Sequence, residues 1–533
     1  MAADQQLPDA ARIVIIGGGV GGASVAYHLS ALGERDVLLV ERDELTSGST
    51  FHSAGLVGQL RADPALTRMN MYSVELYRKL QAGEHAVAWT ECGGIKLASS
   101  SERLQEIRRQ ISWARTYGLP LGEISVREAA ELFPLISTDG VVGAAYLPSD
   151  GCIDPSQLCN ALANLARAGG VRIAPRTRVV GIDVEDGRIR RVHTDKGEIA
   201  CEIVVNCGGM FAAEIGRMAG VRIPLIPMSH QYLVTEAFLP ERGDPLPTLR
   251  DPDLLVYFRQ EVNGLVMGGY ERDPEAWTAT VGSYDAVPAD FNGRLLPENW
   301  PRFEQIAQNS QIRVPDMADI GVRMIVNGPE AFTPDNEFCL GETEVGGFFV
   351  AAGFCAHGIA GAGGIGKIVA EWIVEGQPSL DVWHMDISRF GRDYRSPRRT
   401  LARTLESYRT YTTSPIRDGS GSRGAHCARR PPTRGTRRTA PSSARRRAGS
   451  ASTTTKRTPR AATALGGRTA GPDGTGRRRS PPSTSRPEPW PACSTRRRSP
   501  RSTSAARMPR RCSNGYATTG WFAVSATSPT RRR

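Results

Sequence analysis

The stretch Arg12-Ile13-Val14-Ile15-Ile16-Gly17-Gly18-Gly19-Val20-Gly21-Gly22 decides how this chain folds. Its first five residues form a mainly apolar run that predicts a short strand. The next glycines have the spacing G-x-G-x-x-G, in which Gly17 allows a tight turn, Gly19 lets the backbone approach a pyrophosphate and Gly22 permits close contact between helix and strand. Ala23 to Leu32 then reads as a helix whose N-terminus would hold the phosphates. The pattern predicts a dinucleotide-binding unit of the Rossmann type.

A carboxylate completes this unit. The second strand, Val37 to Val40, ends at Glu41, which lies 19 residues after Gly22. An acid at this distance is placed to accept hydrogen bonds from ribose hydroxyls, and its charge would repel a 2′-phosphate. FAD or NAD is therefore expected as the cofactor, rather than NADP.

Charge divides the chain into two unlike regions. The 533 residues have a formal net charge of +12, but 27 Arg, one Lys and only three acids fall in residues 417–533. Residues 1–416 carry a net charge of −13, so the part with the glycine motif is acidic. The last 117 residues contain only seven residues of the types Leu, Ile, Val, Met, Phe, Trp and Tyr. We expect them to be disordered, because they cannot bury enough apolar surface to offset their chain entropy.

Two explanations of this Arg-rich region are open. Clusters such as Arg445-Arg446-Arg447 would bind the phosphate backbone of nucleic acids without sequence specificity. The excess of Arg over Lys, the absence of Ile and the abundance of Pro, Ser, Thr, Ala and Gly are also expected when GC-rich DNA is translated out of frame. We favour the frameshift, and we expect no specific nucleic-acid partner.

Signals for a membrane, for secretion and for a metal are missing from the sequence. No run of about 20 apolar residues occurs, so no membrane-spanning helix is expected. The first residues lack the basic and apolar regions of a signal peptide, which favours a cytoplasmic protein. The ten cysteines have neither C-x-x-C spacing nor a paired histidine cluster, so no metal site is expected.

The secondary-structure pattern predicts two interleaved domains. A helix at Met69 to Leu80 follows the nucleotide unit, and short strands between residues 171 and 206 return the chain to it. Strand-like runs separated by turn signals fill residues 225–325 and suggest an antiparallel sheet. A last strand, residues 347–352, leads through a glycine-rich turn into a helix predicted from Lys367 to Glu375.

Five segments together resemble the D-amino-acid-oxidase-like flavoproteins, and within them the dimethylglycine and sarcosine dehydrogenase family. The segments are Ile15 to Gly22, Ser47 to Gly55, Met228 to Tyr232, Asn327 to Asp335 and Gly353 to Gly358. The glycine motif indicates only the superfamily, whereas S-G-S-T-x-H-x-A-G and N-G-P-E-x-F-T-P-D are far more specific. The resemblance extends from about residue 12 to residue 411.

The predicted fold is therefore α/β, with a discontinuous Rossmann-type FAD-binding domain, an α+β substrate domain built on an antiparallel sheet, and a disordered basic tail. The predicted boundaries are 1–65, 147–224 and 326–380 for the FAD-binding domain, 66–146 and 225–325 for the substrate domain, 381–416 for the start of a truncated linker or central domain, and 417–533 for the tail, interpreted as a frameshift product.

The resemblance implies FAD, attached covalently through His52. In the family, the histidine of the first loop is joined to the 8α-methyl carbon of the flavin, and a neutral imidazole suits attack on that electrophilic carbon. The alternative is a histidine that only forms hydrogen bonds beside the flavin. The other cofactor-binding residues implied in this way, in addition to Gly17, Gly19, Gly22 and Glu41, are Ser49, Thr50, Val179, His357 and Gly358.

Two residues are candidates for catalysis by the same resemblance. His230 and Tyr257 match a His-Gln-Tyr segment and a tyrosine of the following sheet that line the family's substrate pocket. Oxidation of an N-methyl amine requires an unprotonated nitrogen, so His230 could accept or orient its proton while Tyr257 binds the amine or carboxylate. Both could instead be packing residues, and Phe258 leaves the tyrosine assignment open by one position. Arg259 is either a ligand of the substrate carboxylate or a surface residue at a strand end.

The resemblance implies oxidative demethylation of a small N-methyl amino acid of the dimethylglycine or sarcosine type. Hydride would pass to the flavin, and oxygen or a carrier flavoprotein would accept the electrons. Family members usually continue into an aminomethyltransferase-like domain that binds tetrahydrofolate, but here the resemblance stops near Thr413. We therefore expect no folate site, and hydrolysis of the iminium product to formaldehyde. The alternatives are a flavin oxidase of another amino or imino acid on the same fold, a nucleic-acid-binding protein that uses the basic tail, and an inactive fragment of a broken gene.

Overall fold

The structure, a computed structural model, describes residues 7–241, 243–280 and 285–410. These residues form both helices and strands. The helices there are α1 (Val20–Ala31), α2 (Pro64–Ala82), α3 (Ser101–Thr116), α4 (Val126–Leu132), α5 (Pro155–Ala168), α6 (Ala212–Met218), α7 (Trp277–Thr280), α8 (Trp300–Arg313), α9 (Gly358–Glu375) and α10 (Pro397–Arg409). The strands are β1 (Ile13–Ile16), β2 (Val37–Val40), β3 (Leu56–Val57), β4 (Gly94–Ala98), β5 (Gly122–Ile124), β6 (Gly143–Leu147), β7 (Gly151–Cys152), β8 (Arg172–Ala174), β9 (Val179–Glu185), β10 (Arg188–Thr194), β11 (Gly197–Ala200), β12 (Ile203–Asn206), β13 (Ile226–Thr235), β14 (Thr248–Asp251), β15 (Val256–Glu261), β16 (Gly264–Gly269), β17 (Val322–Phe332), β18 (Cys339–Glu342) and β19 (Phe348–Ala352).

A six-stranded sheet carries the glycine motif. Its strand order is β18-β19-β12-β1-β2-β8, and only the pair β18 and β19 is antiparallel. Its central strands are continuous apolar runs, as is typical of parallel strands covered on both faces. Ile13 and Ile15 pack against α1, α5 and α9, whereas Val14 and Ile16 pack towards α6 and the sheet β11-β10-β9. This layered arrangement confirms the predicted α/β fold class.

Glycines inside α9 correct one prediction. The predicted helix start at Lys367 is wrong, because the glycine-rich segment before it is itself helical. Glycine normally destabilises a helix interior, but here it allows helices to pack at a distance that no side chain permits. A Cβ on Gly364 would lie 2.4 Å from the Cβ of Met69 in α2, and a Cβ on Gly366 would lie 2.5 Å from the backbone carbonyl carbon of Ser24 in α1. Tertiary packing therefore overrides local propensity.

An eight-stranded sheet forms the second part of the fold. Its strand order is β17-β13-β16-β15-β14-β4-β6-β5, and all neighbours are antiparallel except β14 and β4. One face packs against α8 and α4 through a core that includes Phe258, Met267 and Phe303. The opposite face contributes the side chains that line the cavity described below. The predicted antiparallel substrate sheet is thus confirmed.

A buried ion pair fixes the end of β14. Arg313 at the end of α8 donates from Nε to Asp251 Oδ2 at 2.7 Å, and both side chains are buried. Arg313 also donates to the backbone carbonyl of Ser137. Removal of one partner from a buried ion pair leaves an uncompensated charge and costs about 3–5 kcal/mol. The pair therefore holds Asp251, and with it the preceding residue Arg250, in place.

The domain boundaries stay a prediction. The strands of the six-stranded sheet fall in the segments 1–65, 147–224 and 326–380, but β17 of the other sheet crosses residue 326. The predicted disordered tail, residues 417–533, and its interpretation as a frameshift product lie outside the described residues. Within the residues that are described, no helix combines the length and the apolar character needed to cross a membrane.

Candidate active site

The predicted site residues converge on one cavity between the glycine loop and the inner face of the eight-stranded sheet. The residues from the sequence prediction that line it are Gly17, Gly19, Glu41, Ser49, Thr50, His52, Val179, His230, Tyr257, His357 and Gly358. Gly22 lies behind the loop instead, in contact with the backbone of Gly17. The fold therefore brings together residues that are more than 300 positions apart in the sequence.

The three motif glycines serve different purposes. A Cβ on Gly22 would lie 2.0 Å from the carbonyl oxygen of Gly17, and a Cβ on Gly17 would lie 2.4 Å from that of Cys207. Gly17 also has a φ of 115°, which side chains rarely adopt. At Gly19, in contrast, the nearest atom to a Cβ would be Thr50 Oγ1 at 3.1 Å. Gly19 is the N-cap of α1, so the positive end of that helix faces open space suited to a phosphate.

Glu41 lies at the far end of the loop. Its carboxylate accepts the N–H of Gly18 at 2.6 Å and the N–H of Asp43 at 2.9 Å. Burial raises the pKa of Glu41, while these two N–H groups favour its charged form. Each carboxylate oxygen can accept a second hydrogen bond, so Glu41 retains capacity for a hydroxyl group in the cavity. The backbone carbonyl of Glu41 accepts the N–H of Thr177 at 2.7 Å, and Val179 borders the same end.

Ser49 and Thr50 connect the loop that follows the nucleotide unit to helix α1 and to the eight-stranded sheet. Thr50 Oγ1 accepts the N–H of Val20, the first residue of α1, at 3.1 Å. Ser49 Oγ donates to the carbonyl oxygen of Pro329 in β17 at 2.8 Å. These two bonds fix the backbone of the loop that carries His52.

The pairing of β13 with β17 brings two histidines together. His230 lies opposite Gly328, and a Cβ on Gly328 would lie 2.2 Å from His52 Nδ1, so the His52 ring rests against this glycine. His52 Nε2 is buried and has no hydrogen-bond partner among the described residues. Burial lowers the pKa of His52 to about 4, and burial together with the charge of Arg302 lowers the pKa of His230 to about 4. Both imidazoles are therefore neutral near neutral pH.

The alternation of side chains along β15 decides which aromatic residue faces the cavity. Tyr257 lines the cavity, whereas Phe258 is buried in the core on the other face of the sheet. A Cβ on Gly268 would lie 2.3 Å from the hydroxyl oxygen of Tyr257, so the tyrosine side chain crosses the neighbouring strand β16. Arg259 donates to the carbonyl oxygen of Ala54 and to Glu261. It therefore braces the His52 loop through acceptors of this chain.

Two cavity residues escaped the sequence prediction. Arg250 in β14 lies directly across from Tyr257 in β15, and it lines the cavity. The ring of Tyr270 lies 5.3 Å from that of His230 and 6.4 Å from that of Tyr257. No motif marks either residue, because a single arginine or tyrosine near a strand carries no signal until the strands are paired.

The N-terminus of α9 forms another wall. His357 is the N-cap and Gly358 the first residue of α9, and both line the cavity. Burial lowers the pKa of His357 well below its ordinary value, and the charges of nearby arginines add to this effect. Glu330 accepts the N–H of Ala356 at 2.8 Å and so anchors the turn before the helix. Burial raises the pKa of the Glu330 carboxyl to about 7.

Comparison with known proteins assigns this arrangement to a family. The family of FAD dependent oxidoreductases known as DAO matches residues 12–372. The chain belongs to the DAO family of FAD-dependent oxidoreductases. The matched region includes both large sheets and most of α9, and it ends before α10.

Curated relatives narrow the resemblance. The mitochondrial sarcosine dehydrogenase of Mus musculus is 37% identical over 414 residues, which are 76% of this chain and 44% of that protein. The mitochondrial dimethylglycine dehydrogenase of Rattus norvegicus is 35% identical over 405 residues, 75% of this chain and 47% of that protein. The mitochondrial pyruvate dehydrogenase phosphatase regulatory subunit of Mus musculus is 37% identical over 389 residues, which are 72% of this chain and 44% of that protein. The predicted resemblance to dimethylglycine and sarcosine dehydrogenases is confirmed, and the chain spans less than half the length of these relatives.

A solved structure supports the fold. The L-proline dehydrogenase from P. horikoshii matches with a TM-score of 0.65 and 30% sequence identity, over 73% of this chain and 99% of that chain. This oxidoreductase therefore shares the arrangement of the described domain almost throughout its own length.

The residues of the cavity fit FAD. The positive end of α1 and the open space at Gly19 suit a pyrophosphate, and Glu41 has acceptor capacity for a hydroxyl. The buried Nε2 of His52 needs a partner that the described residues do not supply. FAD would thus be held by the glycine loop, by Glu41 and by the loop around His52.

Substitutions in the motif should separate cofactor binding from folding. We expect Gly19→Ala to fold normally, because its Cβ meets only Thr50 Oγ1 at 3.1 Å, but to retain far less FAD. Gly22→Ala should instead lose about 1–3 kcal/mol of stability, because its Cβ lies 2.0 Å from the Gly17 carbonyl oxygen. Flavin absorbance per protein and thermal unfolding of the flavin-free proteins measure the two effects. Gly391→Ala, whose Cβ meets nothing within 4 Å, is the control, and equal FAD retention in Gly19→Ala would contradict the phosphate role.

Proposed function

We propose that this protein is an amine oxidoreductase that oxidatively demethylates a small N-methyl amino acid of the sarcosine or dimethylglycine type. The observation that carries the proposal is the position of Tyr257 beside Arg250 on the face of the sheet that also presents His230 to the cavity. A neutral base and a cation in one cavity match the amine and the carboxylate of an amino acid. Similarity to sarcosine and dimethylglycine dehydrogenases supports the N-methyl class of substrate.

His230 is the proposed proton acceptor. The substrate nitrogen needs a free lone pair before its C–N bond can be oxidised, so an ammonium substrate must first lose a proton. His230 is neutral at neutral pH because burial lowers its pKa, and a neutral imidazole retains one nitrogen that can accept or orient this proton. Burial raises the pKa of Tyr257, so its hydroxyl stays protonated and can donate a hydrogen bond to the substrate. FAD, when bound, supplies the two-electron oxidation.

Arg250 is the proposed ligand of the substrate carboxylate. A guanidinium group binds a carboxylate with two parallel hydrogen bonds, which orients the substrate as well as attracting it. Arg61 lies in the same group of side chains around Gly58, so positive charge is concentrated at this end of the cavity. Asp150 shares this group, but burial raises its pKa against the opposing influence of the two arginines.

We further propose that FAD is attached covalently through His52. The Nε2 atom of His52 is buried without a partner among the residues described, and the neutral imidazole is the form that acts as a nucleophile. The contact with Gly328 holds the ring in one orientation. We propose formaldehyde, formed by hydrolysis of the oxidised substrate, as the product, and oxygen or a carrier flavoprotein as the electron acceptor.

Turnover of a panel of amines tests the substrate class. We expect sarcosine or dimethylglycine to reduce an artificial electron acceptor with release of one formaldehyde per turnover. Their kcat/KM should exceed that of glycine and of L-proline by at least about tenfold, which corresponds to roughly 1.4 kcal/mol of discrimination. Preference for L-proline would replace the proposal with oxidation of an imino acid on the same fold. A holoprotein that turns over none of these amines would contradict the proposed N-methyl amino acid substrate.

The carboxylate anchor predicts a specific kinetic change. Arg250→Gln should raise KM about 10- to 100-fold, because it removes a charge-assisted hydrogen bond to the substrate, while kcat changes less. Arg250→Lys should restore part of the loss, since it keeps the charge without the planar fork. Steady-state kinetics with the N-methyl substrate give both constants. Arg127→Gln, a substitution at an exposed arginine, is the control, and an unchanged KM in Arg250→Gln would exclude the anchor.

Acid precipitation tests the covalent bond. Flavin should stay with the denatured protein, whereas His52→Ala should release all of it to the supernatant. Gly328→Ala should lower the covalently bound fraction, because its Cβ would displace the His52 ring, which lies 2.2 Å away. His193→Ala, at a histidine paired with Asp183 outside the cavity, should behave like the unchanged protein. A colourless pellet from the unchanged holoprotein would refute the attachment and leave His52 as a contact residue.

A further inference from the structure

A chain of hydrogen bonds runs from His230 away from the cavity to a partly buried ion pair. The Nδ1 atom of His230 lies 2.8 Å from the hydroxyl oxygen of Tyr408, and that hydroxyl donates to Glu271 Oε2 at 2.8 Å. The other oxygen of Glu271 lies 3.3 Å from Arg302 Nη2. The four residues come from β13, α10, the segment after β16 and α8. Tyr408 itself is buried, with the ring of Phe332 at 4.9 Å.

The number of available protons decides which group donates and which accepts in each of these hydrogen bonds. Burial raises the pKa of Glu271, and the charge of Arg302 and the hydrogen bond from Tyr408 oppose this rise. Ionised Glu271, paired with Arg302, can only accept hydrogen bonds. Tyr408 has one hydroxyl proton and donates it to Glu271, so its oxygen can only accept from His230. His230 must then carry its proton on Nδ1, which leaves the lone pair on Nε2.

We propose that Tyr408, oriented by Glu271 and Arg302, is a positioning residue that keeps His230 in the tautomer with an unprotonated Nε2. This inference rests on the proposed role of His230 as the acceptor of the substrate proton. That proton moves from the substrate ammonium to Nε2, while Nδ1 and Tyr408 keep their protons and Glu271 stays ionised. The Tyr408 oxygen then accepts the hydrogen bond from Nδ1 of the imidazolium. The positioning residue comes from α10, which lies beyond the matched family region.

Within the described part of the protein, few other charged or titratable groups surround these four hydrogen-bonded residues. His230 faces Tyr270 and Tyr408, and the charge of Arg302 lowers its pKa. The charge that His230 carries when protonated lowers the pKa of His52. Glu275 shares Arg302 with Glu271. Substitution of Tyr408 or Glu271 therefore leaves the other charged groups in place. A change in the protonation of His230 can then be assigned to the loss of the hydrogen-bond chain.

Tyr408→Phe and Glu271→Gln in the holoenzyme test the proposal. We expect Tyr408→Phe to lower kcat about tenfold or more with little change in KM. The acid limb of the kcat/KM profile should move to lower pH by about half to one unit, because the imidazolium loses the acceptor at Nδ1. Nitrogen-15 NMR of labelled histidines should show a single Nδ1-protonated tautomer for His230 in the unchanged protein and a mixture in the variant. Glu271→Gln should act in the same direction.

Tyr394→Phe is the matched control. Tyr394 lies just before α10, but it packs on Phe390 and Arg399 and not on His230. If Tyr408→Phe lowers activity and thermal stability without moving the pH limb or the tautomer, the residue is merely structural and the proposal is overturned. If Tyr408→Phe does not fold, the same two readouts in Glu271→Gln decide. Normal turnover by His230→Gln would refute the base proposed above. An inactive His230→Gln combined with an unaltered Tyr408→Phe would refute the positioning role alone.

Discussion

The close approach of backbone segments at glycine holds the nucleotide-binding half of this fold together. Between Gly22 and the carbonyl of Gly17, and between Gly366 and Ser24, there is no room for even one additional carbon atom. Because of these contacts α1 can start directly at the end of β1, and α9 can lie flat against α1 and α2. Both helices consequently point their N-termini at the same cavity, and such N-termini suit anionic and carbonyl groups.

Burial then determines the protonation states inside the cavity. It keeps both His52 and His230 neutral, because a charged form would lose its hydration without gaining a carboxylate partner. Two buried carboxyl groups are instead paired with arginines. Asp251 is paired with Arg313, and Glu271 with Arg302. The cost of burying an unpaired charge therefore explains both the neutral histidines in the cavity and the ion pairs behind it.

The two sides of the cavity have different sources of specificity. The side with the glycine loop faces the cofactor, which is the same in every member of the family. The presence of this loop in a broad family is consistent with that role. The opposite side depends on which residues face inward from the eight-stranded sheet, and here these include Arg250, Tyr257 and His230. Two proteins with different activities, a sarcosine dehydrogenase and an L-proline dehydrogenase, match the chain over similar lengths. We propose that substrate choice depends on a few side chains on this sheet.

The sequence alone was sufficient for the parts of the protein that depend on local spacing. The glycine motif, Glu41 and the His52 loop lie within one continuous segment, so their common site could be predicted, as could the α/β class and the family. The helical state of the glycines in α9 could not, since it depends on contacts with α1 and α2 that offset the low propensity of glycine.

Tertiary structure alone decided how distant residues meet. Strand register placed Arg250 beside Tyr257 and Gly328 beside His230, and side-chain alternation chose Tyr257 over Phe258. A register is fixed by the packing of the whole sheet, and a shift of one residue would turn every side chain to the other face. The contact of Tyr408 with His230 likewise joins residues that no local pattern connects.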